Sequence, residues 1–474
     1  MLVTLVACYF AVTICIGFYA ARRVKNSADY LVAGRSLPLY MNTATVFATW
    51  FGAELILAVS STFLKEGLQG VVGDPFGAAF CLIFVALFLA APYYRLKLMT
   101  VGDFYKKRYN RTVELASAAA ISISYLGWSS ANLVALGIVI HTVSGNAITL
   151  EQGIVLGAVI VGIYTLFGGM WSVAFTDLFQ TVIIVAGLIY IAWMLAGMAG
   201  GVDKVVATAQ ASDRLKFFPG ASLHDWLGFI AAFVTMALGS VAQQDVFQRV
   251  TSARTEKIAR QGTLLGGSLY LLMAFIPMFI AVSALLIDPA MVKQMLSNEN
   301  DFQQVLPTLI LQRTPLFAQV LFFGALLSAI LSTASGTLLA PTAVITENVI
   351  QPLWGHKLSD RKMLVLLRLI LIGFTCCVTL FALQSESSMY QMVQDAYKVT
   401  LVAAFTPLIF GMFWRRATPQ GALLSMARGV VAWQYAEHFM SDALVPPQLV
   451  GLGSAIVGMI VGSLAPTLMG GPGH

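Results

Sequence analysis

Asn42-Thr43-Ala44-Thr45-Val46-Phe47-Ala48-Thr49-Trp50-Phe51-Gly52-Ala53-Glu54 lies inside an apolar run from 38 to 63. Such a run is long enough to cross a bilayer, whose core of about 30 Å takes about 20 helical residues. Its middle nevertheless carries threonines, a glycine and a carboxylate. Gly52 weakens the helix, and unwound backbone there would bare carbonyl oxygens. At membrane depth such oxygens are tolerated only where they line a cavity or bind an ion. The alternative is close helix packing through small residues.

The rest of the chain is just as apolar. Of 474 residues 58% are hydrophobic and 11% charged, with mean hydropathy +0.81. A soluble domain is about 45–50% apolar and about 25% charged. These figures exclude a soluble globular enzyme, a disordered protein and a nucleic-acid binder. An all-α polytopic membrane protein is expected, with about thirteen spans near 2–21, 38–63, 70–93, 113–142, 149–169, 171–198, 224–247, 263–287, 316–347, 364–384, 388–413, 418–439 and 446–469. With the N-terminus outside, 19 of the 28 Lys and Arg residues fall in inner loops and six in outer ones; Arg368, Lys398 and Arg428 fall inside spans. That bias predicts a multi-pass protein of the inner or plasma membrane with its C-terminus in the cytoplasm. The basic cluster Arg22, Arg23 and Lys25 follows the first run rather than preceding it, which reads as a retained helix and not a cleaved leader. The five cysteines show no metal or disulfide spacing.

Three further stretches place polar groups at membrane depth, where they are costly and usually functional. Gly239-Ser240-Val241-Ala242-Gln243-Gln244-Asp245 interrupts the seventh run, five runs after the first interruption. Broken helices at matching positions of two halves point to an inverted-repeat transporter. Asp245 itself, beside Arg249, reads as a residue of the cytoplasmic interface. In Ser328-Ala329-Ile330-Leu331-Ser332-Thr333-Ala334-Ser335-Gly336-Thr337 the adjacent hydroxyls of Ser332 and Thr333 suit Na⁺, a hard cation; serines bonding back to their own helix is the alternative. Gly168-Gly169-Met170-Trp171 reads as a short turn, which places Asp177 in the first two turns of the sixth run. A carboxylate there pairs with a cation, faces a wet cavity or caps the helix.

Together these residues resemble the sodium:solute symporter family. The resemblance rests on Tyr164-Thr165-Leu166-Phe167-Gly168-Gly169 with Thr176-Asp177 and Gln180, on Ala33-Gly34-Arg35-Ser36-Leu37, and on Phe247-Gln248-Arg249-Val250. It covers about residues 1–415, and the branch that looks nearest is the sodium-coupled choline transporters. It implies a leucine-transporter-type core of two inverted five-helix repeats, at 38–198 and 199–413. A first helix and loop at 1–37 precede them, and two peripheral helices and a tail at 414–474 follow. It also implies a sodium site formed by the carbonyls of Phe47, Trp50 and Ala329 and the hydroxyls of Ser332 and Thr333. Asp177 and Ser335 would serve a second ion or the coupling; Gly336 stands where members with two sodium ions have another serine.

The solute would meet Trp50, Gly52, Glu54, Trp128, Gln243 and Gln244. Choline transporters cage a quaternary ammonium in aromatic rings. Trp50 and Trp128 match cage positions, whereas Gln243 and Ala78 replace aromatic ones. The expectation is a sodium-coupled importer of an amine, quaternary ammonium or amino-acid-like solute, working by alternating access. Its partners would be the solute, Na⁺ and the bilayer, with no nucleic acid and no cofactor beyond the coupling ion. A sensor signalling through a partner is the second reading. An enzyme is not expected: the five histidines make no catalytic pairing, and Glu437-His438 with Asp442 reads as an interfacial loop.

Overall fold

The computed structural model describes residues 2–297, 302–354, 358–385, 387–440 and 443–466. Asp442 and the 470–474 tail lie outside the described residues. All named elements are helical. The main ones are α1 (Leu2–Ala21), α2 (Leu39–Trp50), α3 (Glu54–Gly70), α4 (Val72–Leu96), α5 (Arg111–Val143), α6 (Leu150–Ala199), α7 (Leu223–Ala242), α8 (Gln244–Ser252), α9 (Glu256–Ile287), α10 (Leu316–Trp354), α11 (Asp360–Gln384), α12 (Met389–Phe413), α13 (Pro419–Phe439) and α14 (Pro447–Leu464). Ten helices among the described residues are long and apolar enough to cross a membrane, and the bent pair α2–α3 makes an eleventh.

The two other spans expected from the sequence fall in α6 and α13. α6 runs 50 residues, about 75 Å at 1.5 Å per residue, but Gly169 breaks it with φ 48° and ψ −140°. A Cβ at Gly169 would lie 2.4 Å from the Tyr30 carbonyl oxygen, so only glycine fits this corner. α13 is long enough but more polar, carrying Arg428, Glu437 and His438.

Polar caps fix several helix starts. Asn110 accepts from the Val113 N–H ahead of α5, and Thr149 with Gln152 and Ser388 with Gln391 form reciprocal capping boxes ahead of α6 and α12. Outer faces are apolar and open: Trp193 is 72% exposed and Leu272 68%, which suits a lipid surround. The centre is the reverse. Residues 325–344 of α10 are buried without exception, as are all nine residues of α8. α10 packs against α6, α5 and α2, so whatever its hydroxyls do happens deep inside the bundle.

Candidate functional site

α2 ends at Trp50 because Phe51 leaves helical geometry (φ −81°, ψ 72°). The chain resumes as helix at Glu54, bent by 52°. α7 ends similarly: Gln243 is extended (φ −74°, ψ 140°) before α8 begins. The two breaks are joined. The indole N–H of Trp50, the last residue of α2, donates to Asp245, two residues past Gln243, at 3.2 Å; α2 and α8 are tied further along by the Asn42 amide donating to the Arg249 carbonyl at 2.7 Å and by a short parallel bridge between Leu37 and Ala253. The sequence reading of two interrupted helices thus corresponds to two breaks that meet in space.

On one side of the α2 break lies α10. The Ser332 hydroxyl donates to Asp177 Oδ1 at 2.5 Å, and Thr333 Oγ1 stands 3.5 Å from the Ala48 carbonyl. Ala329 is buried one turn earlier, and Ser335 donates to the Ser332 carbonyl at 2.9 Å. The Phe47 carbonyl accepts from Phe51 N–H at 2.9 Å and that of Trp50 from Gly52 N–H at 3.0 Å. A Cβ at Gly52 would sit 2.8 Å from Thr333 Oγ1, so the missing side chain is what lets the hydroxyl approach the break. Asp177 is fully buried and its Oδ2 has no hydrogen-bond partner. The arrangement gathers a carboxylate, two hydroxyls and a main-chain carbonyl, oxygen ligands suited to a hard monovalent cation.

On the other side lies an aromatic cluster. Trp50 and Trp128 meet edge to face at 5.9 Å between centroids. Tyr397 of α12 stacks with Trp50 at 6.3 Å and contacts Trp128 at 5.5 Å, while Tyr125 stacks on Trp128 at 6.0 Å. Asp245 stands among these rings, accepting from the Trp50 indole N–H at 3.2 Å and from the Tyr125 hydroxyl. It is fully buried, so its expected place at the cytoplasmic interface is corrected: the break at Gln243 turns it inward.

The other expected solute residues divide. Gln243 bonds Ser124 Oγ through its amide nitrogen at 3.1 Å and reaches Thr400 Oγ1 at 3.4 Å, at the edge of the aromatic cluster. Gln244, the first residue of α8, accepts from Val101 N–H at 2.8 Å and donates to the Met99 carbonyl at 3.4 Å. It braces the loop before residue 101. Glu54 lies near Asp74 of α4, and the two carboxylates act electrostatically on each other. The Tyr270 hydroxyl donates to Asp74, and Glu54 Oε1 is buried without a partner. Tyr125, Tyr397, Asp245, Asp74 and Tyr270 were not singled out as solute-site residues in the sequence; nothing in their local spacing distinguishes them from ordinary buried residues. No three His, Cys, Asp or Glu side chains gather as a metal site among the described residues.

The family model for sodium:solute symporters matches residues 30–429, most of the chain. The chain belongs to the sodium:solute symporter family. This symporter is similar to the high-affinity choline transporter 1 of Drosophila melanogaster, 24% identical over 419 residues that cover 83% of this chain and 64% of that one. It is thus shorter than that relative, spanning under two thirds of its length. It is also similar to the high-affinity proline transporter PutP of Bacillus subtilis, 26% identical with 90% and 91% coverage. In fold it resembles a Na⁺-coupled sialic acid symporter solved in a substrate-bound, outward-open state, with TM-score 0.82 at 18% identity and 98% of both chains covered.

Proposed function

We propose that this symporter carries a small solute with a cationic amine or quaternary ammonium group inward, driven by Na⁺. The observation that carries the reading is the meeting of both helix breaks between an aromatic cluster and the hydroxyls of α10. Na⁺ would bind at Ser332 and Thr333 with the carbonyls of the α2 break and of Ala329; Asp177 and Ser335 would serve a second ion or the coupling. The solute would lie against Trp50, Trp128 and Tyr397, whose ring faces attract a cation by about 0.5–2 kcal/mol each when desolvated. Glu54, with Asp74 behind it, offers the charge that an amine needs. No Lys or Arg bonds to either carboxylate among the described residues, whereas Asp245 has Arg249 one turn away on α8. The relatives named for choline and for proline carry, respectively, a quaternary ammonium and an amino acid, which agrees with that solute class.

Two five-helix repeats at 38–198 and 199–413 would rock about the joined breaks, flanked by 1–37 and 414–474. The N-terminus would face outside and the C-terminus the cytoplasm of the cell membrane. Na⁺ entering with the membrane potential supplies about 2.3 kcal/mol per charge per 100 mV. Coupling requires only that Na⁺ and solute favour the same conformations. The test is uptake into proteoliposomes of labelled choline, proline and neutral sugars, with inward NaCl or KCl gradients. Sodium-dependent uptake confined to the amine-bearing solutes supports the reading. Uptake of sugars alone, or uptake indifferent to Na⁺, overturns it.

A further inference from the structure

We propose that Asp245 is a positioning residue that fixes the aromatic wall of the solute site and ties that wall to the sodium half of the protein; the proposal rests on the solute site described above. Both of its carboxylate oxygens are engaged by protein groups, one by the Trp50 indole N–H at 3.2 Å and one by the Tyr125 hydroxyl. Its own backbone N–H donates to the same Tyr125 oxygen at 2.9 Å. One residue at the start of α8 therefore holds a ring from α2 and a ring from α5. Without it a buried indole N–H and a buried phenol O–H would face each other's apolar surroundings unpaired, each a substantial penalty.

The clasp continues one turn on. Arg249 Nε donates to Thr49 Oγ1 at 3.1 Å, and its Nη1 reaches the Asp245 carbonyl at 3.5 Å. Asp245 and Arg249 thus grip Trp50 and Thr49, the last two residues before α2 breaks. The preceding residue, Ala48, presents its carbonyl to Thr333. A contiguous line runs from the aromatic rings through Asp245 and the final turn of α2 to the α10 hydroxyls. A carboxylate suits the first link because two donors converge on it. An amide offers one acceptor and a donor, which Tyr125 can meet only by reversing its own bond.

The experiment uses the full chain in detergent, with tetramethylammonium as the cation probe and NaCl as the ion probe. Tetramethylammonium affinity is read by equilibrium dialysis and the sodium half-saturation by thermal stabilisation. D245A is expected to weaken both by about tenfold or more, as loss of charged hydrogen bonds predicts. D245N should weaken them less. Y125F keeps its ring and W50F substitutes a smaller ring that lacks the N–H; each breaks one of the same bonds from the other end, so their sodium half-saturations decide the matter if D245A does not fold. Y125F combined with D245N should cost less than the product of the two single effects. Full independence of these substitutions, or unchanged sodium half-saturation in D245A, W50F and Y125F, overturns the proposal. The sodium readout does not need the solute class to be right: failure of tetramethylammonium to bind the wild type would count against the solute reading alone.

Discussion

Replacing Gly52 by alanine is the sharpest probe of the ion site. The new methyl would lie 2.8 Å from Thr333 Oγ1 and 3.4 Å from Thr333 Cβ and Cγ2. Ordinary contact begins near 3.4 Å, so the hydroxyl must yield by roughly 0.6 Å, the difference between those two distances. Thr333 cannot yield freely, because it is buried and its χ1 is stiff. Overpacking of this kind costs about 1–3 kcal/mol, which corresponds to about 5–150-fold in a binding constant. If Thr333 is a sodium ligand, that loss appears in the sodium half-saturation of uptake. Proteoliposome uptake as a function of NaCl at fixed solute measures it. Gly228→Ala is the control, since nothing lies within 4 Å of a Cβ there. In G52A/T333A the opposing hydroxyl is gone, so the double variant should match T333A alone. An unchanged sodium half-saturation in G52A, with uptake intact, would refute the placement of the ion beside Thr333.

Ser332→Ala removes the one hydrogen bond that the Asp177 carboxylate accepts among the described residues, and sodium-stimulated uptake should fall at least tenfold, measured in the same vesicles. Glu54→Gln should raise the KM of a cationic solute several-fold while leaving the sodium half-saturation near the wild-type value; equal effects on both would place Glu54 at the ion instead. Gly169→Ala forces a Cβ to within 2.4 Å of the Tyr30 carbonyl oxygen at φ 48°, and a lower thermal midpoint in detergent is expected, by several degrees. At the end of α9 the Arg313 guanidinium, bonded to Asp288 at 2.5 and 3.0 Å, holds that carboxyl below the usual range. Because the folded value is depressed, the tie is complete above about pH 4 and is lost as pH falls through the folded value. Protection of the Met291 amide, which Asp288 caps, should therefore fall in acid, and in R313Q the fall should begin at higher pH than in the wild type, because the carboxyl loses the guanidinium that holds its value down.

Local sequence alone determined the membrane class and the places where helices must stop. A 20-residue apolar run has few alternatives to a membrane helix, Gly52 and Gly169 leave few to a break, and the pairing of Ser332 with Thr333 places two hydroxyls on one buried turn. These properties need only near neighbours along the chain. Tertiary structure decided which carboxylates enter the site. Asp245 beside Arg249 looks in sequence like a surface pair; the extended backbone at Gln243 turns it among rings lying 120 and 195 residues away. Gln243 and Gln244 look alike on paper, but the first lies in the extended break and the second opens α8, which sends the first to the rings and the second to the backbone near residue 100. Asp74 joins Glu54 only because α4 folds back beside α3 and Tyr270 arrives from α9. A buried charge is defined by what surrounds it, and that surrounding is assembled from distant segments that no local pattern encodes.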